Sequence, residues 1–239
     1  MNKFLNRTQL ILGKENIESL ESKTVAIFGL GGVGGNALEA LVRSGIGNLV
    51  LIDNDEICET NLNRQLLATR NTLGRAKVDV AEERAKEINP KIKIVKYKCF
   101  YLPENSNEID FSSFDYIIDA IDTVTAKIDI IVKAKELNIP IISAMGAGNK
   151  CDPTKLEVKD LFKTDYDPLA KVMRRELRKR NINSLKVVYS KETPLEIDKS
   201  LILEEEKDKK RVPGSTAFVP SVMGIIIASE VVKDLLSNY

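Results

Sequence analysis

The stretch AIFGLGGVGGNALEALVRSGIGNLVLIDNDE, residues 26–56, decides the fold. TVAIFG (24–29) is a short apolar, β-branched run that leads into Gly29-x-Gly31-x-x-Gly34. The pattern predicts a helix over 31–44 and a second strand, NLVLID, over 48–53. In such a unit the first glycine permits the tight turn and the second lets backbone approach a phosphate. The third lets helix and strand pack closely. The helix N-terminus then faces the anion. Gly29, Gly31, Gly32 and Gly34 are candidate phosphate-cradle residues. Asp53 ends the second strand, where a carboxylate can accept hydrogen bonds from ribose hydroxyls.

Outward from this unit, strands and helices alternate. Within 74–90, Val78, Ala81, Ala85 and Ile88 recur at helical spacing, and Asn89-Pro90 ends the run. KIKIVKY (91–97), FDYIIDA (114–120) and IPIISA (139–144) read as strands, and 123–138 as a helix. The alternation predicts an α/β fold of Rossmann-like, doubly wound type around a mainly parallel sheet. The rhythm then changes. KLEVKDL and SLKVVYS read as strands flanking a helix over 167–180. A charged stretch, 193–214, reads as a mobile loop, and FVPSVMGIIIASEVVKDLL (218–236) as a buried final helix. The expected layout is a nucleotide domain over 1–150 with an N-terminal helix, then an inserted substrate lobe over 151–217. A C-terminal helix over 218–239 is expected to pack back on the nucleotide domain.

Composition narrows the function classes. The 239 residues are 43% hydrophobic and 30% charged, with 36 basic against 35 acidic side chains, so any nucleic-acid surface must be a local patch. No apolar run reaches the length of a membrane span, and the N-terminus lacks a signal-peptide core; a cytoplasmic protein without membrane contact is expected. Cys58, Cys99 and Cys151 form no C-x-x-C pair, which argues against a disulfide framework and a four-thiolate zinc site. Cys151 is expected to be a small buried structural thiol. The absence of histidine excludes Ser-His and Cys-His nucleophile pairs and any histidine metal ligand.

The residues after Asp53 ask for more charge than a dinucleotide carries. DNDEICETNLNRQ (53–65) supplies Asp53, Asp55, Asn61, Arg64 and Gln65. Lys77 opens the next predicted helix, and Asp122 follows a strand at the carboxyl edge, where ligands bind in such sheets. Helix amides can largely neutralise a diphosphate. A nucleoside triphosphate needs fixed cations, here Arg64 and Lys77, and a metal, which Asp122 can hold. An NAD oxidoreductase would not need these cations.

GLGGVG (29–34), D-x-D-x-I-x-x-x-NLNRQ (53–65), GRAKVDVA…INP (74–90) and DAIDTVTAK (119–127) resemble the ubiquitin-activating-type (ThiF/MoeB/HesA-like) adenylyltransferase superfamily. The resemblance runs from NRTQLILG (6–13) to the last helix. It implies ATP and Mg2+, with a carboxylate attacking the α-phosphate to give an acyl-adenylate and pyrophosphate. By the same resemblance Asp53 binds ribose, Arg64 and Lys77 act on the phosphates, and Asp122 holds the metal. Asn61 and Gln65 line the site. Arg7, in NRTQ, would extend into the partner's ATP site of a homodimer. Two motifs of the superfamily are missing. The paired C-x-x-C of zinc-bearing sulfur-carrier enzymes is absent, so no zinc is implied, and no catalytic cysteine lies beyond Cys151.

GAGNK-x-DPT (146–154), DPLAK-x-MRRELRKR (167–180) and VVYSKE-x-P (187–194) resemble one branch, the tRNA threonylcarbamoyladenosine dehydratases. This implies ATP-dependent cyclisation of the modified nucleoside beside the anticodon. The resemblance admits a monovalent cation and a cysteine desulfurase or sulfur-acceptor partner. Two readings stay open beside it: a zinc-free activator of a sulfur-carrier C-terminus, and a non-catalytic nucleotide-binding scaffold. In 167–180, Leu169, Val172, Met173 and Leu177 share one helical face, and Lys171, Arg174, Arg175 and Arg178 the other. The basic face is the candidate tRNA contact.

Overall fold

The computed structural model describes residues 3–204 and 212–236. Two short N-terminal helices, α1 (Asn6–Leu12) and α2 (Lys14–Ser22), precede the sheet. The chain then runs β1 (Thr24–Phe28), α3 (Gly34–Ser44), β2 (Asn48–Ile52), α4 (Lys77–Ile88), β3 (Lys93–Tyr97), β4 (Tyr116–Asp119), α5 (Val124–Glu136) and β5 (Ile141–Ala144). It continues with β6 (Leu156–Asp160), α6 (Pro168–Arg178), β7 (Lys186–Ser190) and α7 (Val219–Leu235). The seven strands form one sheet in the order β3-β2-β1-β4-β5-β7-β6. Every pairing is parallel except β6 with β7.

Alternation along the strands divides the core. Val25, Ile27, Leu49, Leu51 and Ile118 face α3, α4 and α7. Ala26, Phe28, Val50, Ile52 and Ile117 face α5 and α6. Burial on both sides explains why the central strands read as continuous apolar runs. Strand order reverses at β1/β4, which opens a crevice at their carboxyl ends.

Several boundaries differ from the sequence pattern for local reasons. α3 begins at Gly34, because Gly31–Val33 form the turn over the cradle. α4 begins at Lys77: Gly74 takes a φ of 76°, and Ala76 is extended and bridges Glu56. β6, α6 and β7, from the segment expected as an inserted lobe, extend the nucleotide-binding sheet itself. α7 packs on α3 so closely that a Cβ on Gly224 would lie 2.3 Å from the Val33 carbonyl oxygen. Of the predicted loop at 193–214, residues 205–211 lie outside the described residues. The described part is tied down: Leu195 N donates to Asn149 O, and Gly214 N to Asn149 Oδ1. Cys151 is exposed rather than buried, so it is no core thiol. Among the described residues no helix is long and apolar enough to cross a membrane.

Candidate active site

The glycine loop connects β1 to α3 by close backbone approach. Gly29 has a φ of 89°, and a Cβ there would lie 2.7 Å from the Ala120 carbonyl oxygen. A Cβ on Gly34 would lie 1.8 Å from the Gly29 carbonyl oxygen. These two glycines are required by geometry alone. Gly32 abuts Pro220 of α7. Gly31 differs: the nearest atom to its Cβ position is Gln65 Nε2 at 4.0 Å. Side-chain space is open there, which is what a bound phosphate requires.

Asp53 braces this loop. Its Oδ2 accepts from Leu30 N at 2.6 Å and its Oδ1 from Asp55 N at 2.8 Å. Burial pushes its carboxyl above the ordinary aspartate value, against the opposing pull of the Lys77 ammonium and the two amide donors. Lys77 is buried at the first position of α4, and its Nζ meets Asp55 Oδ2 at 2.7 Å. Its backbone N also donates to Asp55 O, which fixes the two segments together.

The NLNRQ segment forms tight turns. Asn61 is buried, and its Oδ1 accepts from Cys58 N. Arg64 is half-buried, with Nη1 donating to Thr60 O at 2.7 Å and Asn63 Oδ1 at 2.8 Å. Gln65 is buried, and its Oε1 is the one buried side-chain polar atom among the described residues without a hydrogen-bond partner. Buried acceptors are normally paired. An unmet one beside an open glycine cradle suits a hydroxyl or amino group of a nucleotide.

Asp122 stands exposed after β4. The reason it is held there was not visible in the sequence. Asp119, at the end of β4, is fully buried with Lys127 and Ser143. Lys127 Nζ lies 3.0 Å from both Asp119 carboxylate oxygens and donates to Ile121 O at 3.1 Å. Ser143 Oγ donates to Asp119 Oδ2 at 2.5 Å. This cluster fixes the peptide that precedes Asp122. Its signal in the sequence was two polar residues in otherwise apolar strands, Asp119 at the end of β4 and Ser143 one residue before the end of β5.

The remaining predicted residues do not join the site within this chain. Arg7 is exposed on α1, an element that buries no side chain. Among the described residues no hydrogen bond or ion pair links the basic residues of α6 to the cradle, and Arg174 and Arg178 are engaged elsewhere. Arg174 Nη1 bonds Thr164 through both its carbonyl and its hydroxyl oxygen, and the Arg178 guanidinium lies 5.3 Å from the Phe162 ring centre. Arg175 pairs with Glu176 at the surface, while Lys171 is exposed. A second buried pair, Lys150 with Asp167 at 2.7 Å, also escaped sequence reasoning. It ties the loop after β5 to the start of α6.

The geometry is that of a nucleotide site open at the sheet's carboxyl edge, and comparison with known proteins agrees. The family model described as ThiF family matches residues 5–239. The chain belongs to the ThiF family. Within this family it is 42% identical over 240 residues to tRNA threonylcarbamoyladenosine dehydratase of Bacillus subtilis, covering 98% of this chain and 94% of that protein. The Escherichia coli protein of the same name is 39% identical over 171 residues, covering 72% of this chain and 64% of its own length. Among solved structures, Escherichia coli TcdA in complex with ATP gives a TM-score of 0.86 at 32% identity, covering 98% of this chain and 94% of that one. Its complex with AMP gives 0.88 at 31%, covering 99% and 96%.

Proposed function

We infer that this ThiF-family chain is an ATP-dependent, adenylate-forming tRNA threonylcarbamoyladenosine dehydratase. The observation that carries this reading is near-complete coverage at 42% identity by a relative of that name, on a chain that keeps the cradle, Asp53, Arg64, Lys77 and Asp122. The threonyl carboxylate is a poor electrophile. Its attack on the α-phosphate of ATP expels pyrophosphate and converts a carboxylate oxygen into part of an AMP leaving group. The neighbouring carbamoyl group then attacks the acyl carbon, AMP departs, and the substrate has lost one water. Proximity within one nucleoside makes the second step intramolecular. No protein nucleophile is needed, which suits a chain without histidine.

In this reading Asp53 accepts the ribose hydroxyls and the α3 N-terminus faces the phosphates. Lys77 and Arg64 stabilise charge that develops during transfer. Asn61 holds the turn that carries Arg64. Among the described residues no cluster of three or more acidic or thiol groups could cage a metal. Mg2+ fits Asp122 nonetheless, because that ion keeps most of its waters and takes one or two carboxylates beside the nucleotide's phosphates. When bound, it would neutralise phosphate charge.

The chain also suits a homodimer. Leu10 and Ile11 on α1 are 73% and 76% exposed, as expected of an element that completes another subunit. Arg7 would then reach the partner's phosphates. Mixing inactive Arg7→Ala with inactive Lys77→Ala, with exchange verified, should restore activity through the one intact composite site. No recovery would count against sharing. For the reaction itself, the test is incubation with threonylcarbamoyladenosine-bearing tRNA and ATP. Nucleoside mass spectrometry should report loss of one water alongside AMP; an unchanged nucleoside mass overturns the reading.

A further inference from the structure

Among the described residues four non-glycine positions have positive φ, and three of them are asparagine, which tolerates that region. The fourth is Tyr166, at φ 55°. A bulky side chain in this conformation is an outlier that the surroundings must impose. Here they do. The next residue, Asp167, is buried: its Oδ2 takes the Lys150 ammonium and its Oδ1 caps α6 through Ala170 N. Asp167 N also turns back to Asp165 O. The result is a rigid turn whose aromatic side chain is 72% exposed. No ring or hydrogen-bond partner holds that side chain among the described residues. The strain therefore does nothing for the core.

Its position in the fold is specific. Lys150 Nζ, which grips Asp167, also donates to Gly146 O, just beyond the end of β5. β5 pairs with β4 through Ser143 and Asp119, and Asp122 follows β4. Tyr166 thus stands at the same carboxyl edge as the proposed metal carboxylate, one strand along. Lys163 and Lys171, both exposed, flank it in the chain.

We propose that Tyr166 is a stacking platform for an unpaired nucleobase of the RNA substrate. The inference rests on the tRNA reading and deepens it. The carboxylate to be adenylated hangs from a purine by a few bonds, so a base must lie at this edge when the carboxylate meets ATP. Loop bases are commonly held by stacking on aromatic side chains, and the flanking lysines suit the adjoining phosphates.

Binding of threonylcarbamoyladenosine-bearing tRNA by Tyr166→Phe, Tyr166→Ala and Tyr166→Gly enzymes, measured across a salt series, tests this. The phenylalanine variant should match the parent. The alanine variant should bind about tenfold more weakly, the order expected of one lost base stack. Its salt dependence should keep the parental slope, since no phosphate contact is lost. Tyr166→Gly should raise the melting temperature by relieving the backbone, yet weaken tRNA equally. ATP affinity should be unchanged in all three. Alanine and glycine variants that bind like the parent overturn the proposal, as does a phenylalanine variant as weak as alanine, or a flattened salt slope. Failure of the parent itself to bind or dehydrate tRNA would instead overturn the functional reading.

Discussion

Two lysines sit at the same sheet edge and are built for opposite purposes. Lys77 and Lys127 are both buried, and each meets an aspartate within 3.0 Å. The difference lies in the partners. Asp55 keeps 55% of its side chain exposed, whereas Asp119 keeps none. A pair with one member in water can be exchanged: in the proposed function a triphosphate takes over the Lys77 ammonium while Asp55 returns to solvent. A sealed pair with its donors and acceptors all engaged cannot be exchanged. Lys127 therefore holds a loop, and Lys77 is available to a ligand.

The largest expected effect would break the sealed side. Removing one member of a buried pair strands the other charge and typically costs about 3–5 kcal/mol. Lys127→Met should lower unfolding free energy by that order in a denaturant titration. Asp119→Leu combined with Lys127→Met should recover much of the loss, because a packed apolar pair is often as stable as the ionic one. A single variant as stable as the parent would mean that Lys127 does not seal the core.

The open side should respond in activity instead. Losing a positioned cation at a phosphate typically costs about 100-fold or more in turnover. Lys77→Ala should show this in an AMP-release assay while its denaturation midpoint stays near the parent's. Unchanged turnover would remove Lys77 from the phosphates. Equal losses of stability and turnover would erase the contrast with Lys127.

That contrast also explains what could be read from the sequence. Gly29 and Gly34 were legible because a missing Cβ leaves a direct mark where backbones touch. The proposed site charges, Asp53, Arg64, Lys77 and Asp122, stood out because polar residues recur in order at the carboxyl ends of successive strands and in the loops that follow. Lys127, Lys150 and Asp167 did not. Each looked like an ordinary charge on an amphipathic helix or loop, and its burial depends on a partner 8 or 17 residues away. The positive φ of Tyr166 is likewise imposed by tertiary bonds to Asp167. The pairing of β5 with β7, which carries the sheet past residue 151, was not legible either, because strand pairing is non-local.

A smaller effect concerns Asp53, which braces the cradle and, in the proposed function, also accepts the ribose. Burial raises its folded pKa above the ordinary value of 3.8, so the unfolded chain loses this proton first. The stability that Asp53 contributes is full below about that value, and is lost as pH rises through the raised folded pKa. ATP affinity should move the opposite way, since ribose hydroxyls donate to the ionised carboxylate. Comparison with Asp53→Asn isolates both trends. The parent's stability relative to the variant should fall with rising pH over this window, while its ATP affinity relative to the variant rises. Parallel trends would mean that Asp53 does not bind ribose as a carboxylate.

The smallest effect extends the contrast to α6, whose basic face also divides into held and available charges. Arg174 is the held member, half-buried on Thr164, and Arg178 lies over Phe162. Lys171 and Arg175 are exposed, and Lys171 has no side-chain partner among the described residues. All four were expected to meet tRNA, but a guanidinium already spent on a carbonyl has less to offer a phosphate. Lys171→Gln with Arg175→Gln should therefore flatten the salt dependence of tRNA binding by roughly one unit of log–log slope per lost contact. Folding should be untouched, because the Arg175–Glu176 pair is a surface pair and such pairs contribute little. Arg174→Gln should do the reverse, lowering the melting temperature while leaving the slope near the parent's. If Arg174→Gln flattens the slope as much as the double variant does, the Thr164 contacts are exchangeable like those of Lys77. The held and available charges of α6 would then be a single RNA-facing set.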